Sequence, residues 1–96
     1  MKVGVARVTL YLSECDSLKE KRGIVKPIVE RTRRHFHVSI AEIEDLDDLR
    51  VATIGFSVVS NSSAHTDEML QTILAAIEHD SGEARLGEIE TEIIEI

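Results

Sequence analysis

One cysteine, Cys15, is the only thiol in the 96 residues, so no disulfide can form within the chain and a reducing compartment is expected. Tyr11, Phe36 and Phe56 are the only aromatic residues and there is no tryptophan. That scarcity excludes an aromatic core and leaves little on which nucleic-acid bases could stack. Apolar runs are short: none approaches the roughly 18 residues of a membrane span. The opening stretch alternates and lacks the hydrophobic block of a signal peptide, so the cytoplasm is the expected location and no membrane partner is expected. There is no internal repeat, linker or low-complexity segment.

Apolar residues make up 43% of the chain, a globular proportion, and they are mostly Val, Ile, Leu and Ala. The length suits a single domain over residues 1–96 with an aliphatic core. The net charge of −7 is unevenly placed. Residues 1–40 hold nine Lys and Arg against four acids, whereas residues 41–96 hold two against fourteen. Screening over about 8 Å at physiological salt lets a basic face act locally on an acidic protein.

Hydrophobic periodicity orders the chain as β-α-β-β-α-β. Val3–Leu12 alternates as a strand, with Ala6, Val8, Leu10 and Leu12 on the core face. Ser17 and Glu20 have the spacing of a capping box and open a helix that runs to about His35. Its apolar stripe is Leu18, Val25, Val29, Thr32 and Phe36, with Lys21, Ile24 and Ile28 at the border. Pro27 lies inside it and predicts a kink. His37–Ile43 and Arg50–Val59 read as a hairpin joined by an acidic turn. A second helix spans about Ala64–His79, with Asp67 and Glu68 in its first turn. Ala84–Ile96 is a fourth strand. Right-handed crossovers around a central hairpin predict an α+β fold, a ferredoxin-like two-layer sandwich. A four-stranded antiparallel sheet then carries both helices on one face.

Ser17-Leu18-Lys19-Glu20-Lys21-Arg22, Val38-Ser39-Ile40-Ala41-Glu42 and Val58-Val59-Ser60-Asn61, with the element order, give a chain that resembles the YlxP-like family of small bacterial proteins, a domain of unknown function. The resemblance covers nearly the whole chain. It implies a ferredoxin-like fold without established enzyme activity, and gene neighbours that include transcription-elongation, translation-initiation and ribosome-maturation factors. His37 stands where Asn is more usual in the family, and Asn61-Ser62 where Asn-Asp is commoner.

The strongest candidate site is the first helix. Lys19, Arg22, Lys26 and Arg33 fall within about 60° of one another on the helical wheel, with Arg34 flanking them. A row of cations at that spacing can follow phosphates; the alternative is a solvated face without a partner. The open sheet face offers Arg7, Thr9 and Tyr11 but also Glu88, Glu90 and Glu92, a poor platform for stacked bases. Val3, Val5 and Tyr11 are apolar enough there to form a subunit interface. The Ser60–Ser63 turn reads as ordinary capping, and the acidic turn as a solvated hairpin tip. No phosphate-binding glycine loop is present, and His35 and His37 lack the companions of a zinc site. No cofactor, metal or small-molecule substrate is expected, nor is any nucleophile placed beside a base. The expectation is a non-catalytic protein acting on RNA or a ribosomal subunit through Lys19, Arg22, Lys26, Arg33 and Arg34. The alternative is a homo-oligomeric adaptor module that uses the open sheet face without nucleic acid.

Overall fold

The computed structural model describes residues 1–96 as β1 (Lys2–Leu12), α1 (Leu18–Phe36), β2 (Ser39–Glu44), β3 (Val51–Ser60), α2 (Ser63–His79) and β4 (Ala84–Glu95). The strands form one antiparallel sheet in the order β2-β3-β1-β4. Alternation selects the buried face. Ala6, Val8, Leu10 and Leu12 of β1 and Ala52, Ile54, Phe56 and Val58 of β3 join Ile40 beneath the helices. Val25, Ile28 and Val29 of α1 and Leu70, Ile73, Leu74 and Ile77 of α2 cover them in one aliphatic cluster, so both helices lie on the same side. This is the ferredoxin-like arrangement that the element order predicts.

The boundaries show where local chemistry decides. Ser17 caps α1, its Oγ accepting from the Glu20 amide at 3.1 Å. Glu20 reaches back one residue further than a capping box requires, and accepts from the Asp16 amide. The helix runs unbroken through Pro27. Leu18, expected on the buried stripe, is exposed, while Lys21 and Ile28 lie at its buried centre. Asp67 and Glu68 sit beyond the first turn of α2, because Ser62 is the cap and the helix begins at Ser63.

β2 starts two residues later than the alternation suggests. His37 takes the left-handed conformation, φ 55°, and its amide donates to the Arg33 carbonyl to close α1. His tolerates that region better than most residues but, unlike Gly, still carries a Cβ that crowds the backbone there. His37 is exposed, so His37→Gly should raise stability by about 1 kcal/mol, read as a higher urea midpoint with an unchanged slope.

Candidate functional site

The outer face of α1 carries Lys19, Arg22, Lys26 and Arg34, all exposed. Lys19, Arg22 and Arg34 have neither an ion-pair nor a hydrogen-bond partner; Lys26 Nζ lies a loose 3.9 Å from Glu30 Oε1. Between them is a shallow depression of about 290 Å³ over Gly23 and Pro27, ringed by Arg22, Lys26, Arg31 and Arg34, with Glu30 its only acid. The hollow exists because Gly23 has no side chain and nothing lies within 4 Å of where one would begin. Arg31 was not expected here. On the wheel it falls some 60° beyond Arg34, and its guanidinium reaches Asp80 at 3.7 Å.

Arg33 is used differently. Its Nη2 donates to the Ile40 carbonyl at 2.6 Å, tying the end of α1 to β2. The turn at His37 brings β2 back alongside the helix, and a carbonyl within reach of a guanidinium outcompetes water. The structure therefore gathers Arg22, Lys26 and Arg34 with Arg31, leaves Lys19 a turn away, and turns Arg33 onto the sheet edge.

Lys21, at the border of the apolar stripe on the wheel, is 2% exposed. Its ammonium donates to the Asp45 carbonyl at 2.6 Å and to the Leu46 carbonyl at 3.5 Å, and lies 2.9 Å from Glu42 Oε2. Asp45, at φ 59°, accepts from the Thr53 hydroxyl through its carboxylate. The acidic turn is thus not simply a solvated tip: the Glu42 carboxylate and the carbonyls of Asp45 and Leu46 hold the β2–β3 hairpin on α1 through Lys21, while the Asp45 carboxylate ties the turn to β3. Two segments that carry the family resemblance, Ser17–Arg22 and Val38–Glu42, meet in this ion pair.

The open sheet face resolves into cross-strand rows. Val59, Val3 and Ile94 are neighbours across β3, β1 and β4; the next row is Ser39, Ser57, Val5 and Glu92, and the next Ala41, Gly55, Arg7 and Glu90. A wide hollow of about 700 Å³ lies over Ser39, Ala41, Gly55 and Ser57. Its cations are already engaged. Arg7 forks onto both oxygens of Glu90 and donates to Glu44 at 2.8 Å, and Arg33 is bonded as above. The larger hollow therefore offers an anion less than the smaller one on α1. Tyr11 is separated from Val3 and Val5 by the Arg7 row, so the three do not form one patch.

Tyr11 donates to Glu88 Oε2 at 2.7 Å, packs over Gly87 and has the Arg85 guanidinium 5.2 Å from its ring centre. The Glu88 hydrogen bond, with desolvation behind it, raises the phenol above its ordinary 10.0. The bond exists while the phenol is neutral. Its contribution is therefore full below the unfolded-state value and is lost as pH rises through the folded one. With one tyrosine and no tryptophan, absorbance at alkaline pH reports Tyr11 alone. The titration midpoint should lie above that of free tyrosine and return toward it in Glu88→Gln.

The remaining candidates are occupied locally. Cys15 is buried and its Sγ donates to the Ser17 carbonyl. Ser60 Oγ donates to the Ser62 carbonyl and accepts from the Ser62 amide, while His65 faces Glu68. His35 packs edge-on against Phe36. No three His, Cys, Asp or Glu side chains converge as a metal site, and no helix is long and apolar enough to cross a membrane.

The family model described as a protein of unknown function, DUF503, matches residues 3–91. A Bacillus subtilis (strain 168) protein described as uncharacterized protein YlxP is 37% identical over 76 residues, which is 79% of this chain and 83% of that one. Among solved structures, the solution NMR structure of the de novo designed ferredoxin-fold protein LFR1 1 superposes with a TM-score of 0.56. It covers 96% of this chain and 87% of its own at 16% identity, a likeness of fold alone.

Proposed function

We propose, for a chain that belongs to the DUF503 family of proteins of unknown function, a non-catalytic cytoplasmic role in which the outer face of α1 holds RNA phosphates, on a ribosomal subunit. One observation carries this reading. Acids outnumber Lys and Arg 18 to 11, yet Lys19, Arg22 and Arg34 share one outer helix face without a partner. In a protein this acidic, cations left free together form a face that attracts phosphate while the rest of the surface repels it. The acidic second half limits non-specific binding and suits a basic protein neighbour. The local engagement of Cys15 and Ser60 supports a role without catalysis.

The test is cosedimentation with small ribosomal subunits at low and moderate salt, beside a folded Arg22→Glu, Lys26→Glu, Arg34→Glu variant. The expected result is salt-sensitive binding that the variant loses. Equal binding by both forms, or none by either, overturns the reading.

The row of Val59, Val3 and Ile94 favours a second reading, a homo-oligomeric adaptor joined through the open sheet face. Val59 is 61% exposed and Ile94 39%. This reading expects a mass in light scattering that rises with concentration and falls to the monomer in Val3→Glu; a strict monomer throughout contradicts it.

A further inference from the structure

The floor of the α1 depression has a chemistry that phosphate contact does not use. Pro27 has no amide hydrogen, so the Gly23 carbonyl, four residues back, lacks its helical donor. The proline ring also crowds that carbonyl. Both residues are exposed, Gly23 has no side chain to cover its own backbone, and no side chain donates to its oxygen. A carbonyl deprived of its usual helical amide, and to which no side chain donates, thus belongs to a residue lining the hollow that Arg22, Lys26, Arg31 and Arg34 ring.

A bare acceptor among cations suits a ligand that brings an anion and a hydroxyl donor a few ångströms apart. A ribose phosphate does so: its 2′-hydroxyl is a donor next to the 3′-phosphate, and deoxyribose lacks it. Resting on the phosphate-binding reading above, we infer that the Gly23 carbonyl accepts a hydrogen bond from a ribose 2′-hydroxyl while Arg22, Lys26 and Arg34 hold the adjoining phosphates, which makes this face selective for RNA over DNA. Pro27 is then a specificity determinant, because any other residue there returns an amide donor to the Gly23 carbonyl.

The experiment measures affinity at one fixed salt concentration for three short probes of identical base sequence: oligouridylate, its deoxyribose counterpart and its 2′-O-methyl counterpart. The last keeps the ribose pucker and the 2′ oxygen but carries a methyl group in place of the donor hydrogen. The wild-type protein should bind oligouridylate about fivefold more tightly than either of the others, the effect of one neutral hydrogen bond. Pro27→Ala, checked for helicity by circular dichroism, should bind all three alike, with its affinity for the deoxyribose probe unchanged. Equal wild-type affinity for all three, or a preference that survives Pro27→Ala, overturns the inference and leaves phosphate binding standing. Failure of the wild-type protein to bind any probe overturns phosphate binding, and this inference with it.

Discussion

Lys21→Met should cost about 3 kcal/mol of folding stability, a large share of what a domain of this size has. The thioether side chain keeps the apolar stem but removes the ammonium. The carbonyls of Asp45 and Leu46 then lose a buried donor, and Glu42 Oε2 loses the charge 2.9 Å away. A buried ion pair adds little beyond an apolar packing of the same shape, but removing one member strands the other. Adding Glu42→Leu should therefore recover part of the loss, since the stranded carboxylate goes while the two carbonyls stay unsatisfied. Urea unfolding of the single and double variants measures both effects. A single-variant loss under about 0.5 kcal/mol would mean that the ammonium does not anchor the hairpin.

Gly4→Val should cost about as much, for a different reason. Gly4 stands opposite Val58 on the helix side of β1, beneath Thr66 and Leu70 of α2. A Cβ there would lie 2.5 Å from Thr66 Cγ2, 3.0 Å from Val58 Cγ2 and 3.1 Å from Leu70 Cδ1. Thr66 and Leu70 are wholly buried and cannot move aside, so the overpacking falls at the upper end of the usual range, about 3 kcal/mol. The strand preference of valine, worth under about 1 kcal/mol, does not offset it. Gly4→Ala should cost less, and Thr66→Ser should largely rescue it. That second change removes the clashing methyl and keeps the hydroxyl that donates to the Ser62 carbonyl. Thermal unfolding of the four proteins checks the pairing.

What the sequence made legible follows from what each feature depends on. A strand with one buried face must alternate, so Ala6 to Leu12 and Ala52 to Val58 announced themselves, and with the Ser17 cap they were enough to order the elements. Lys21 was not legible because its partners are the carbonyls of a turn 24 and 25 residues away. A signal existed: Lys21 lies three residues after Leu18 and four before Val25, in the middle of the apolar stripe. A lysine there needs an acceptor inside the protein.

The cation row was legible as a wheel, but a wheel treats every side chain as pointing straight out. Arg33 bends to the Ile40 carbonyl, and Arg31 leans into the hollow that Gly23 leaves. Val3, Val5, Arg7 and Tyr11 all lie on β1, so the separation of Tyr11 from Val3 and Val5 by Arg7 was legible in their spacing along one strand. The bulge that sets β4 out of step, where Val8 faces Ile89 but Leu10 faces Leu86, has no signature apart from Gly87.

The central claim is that the outer face of α1 engages phosphates as a charged surface, and the salt dependence of oligouridylate affinity tests it most directly. About four contacts, from Lys19, Arg22, Lys26 and Arg34, should give a slope near −3 in log affinity against log salt, at about 0.7 per contact for a single strand. The slope should become shallower by about 0.7 for each cation removed singly, as in Arg22→Gln or Arg34→Gln. A slope near zero, or one that those substitutions leave unchanged, would contradict the account and leave this face as a solvated helix surface.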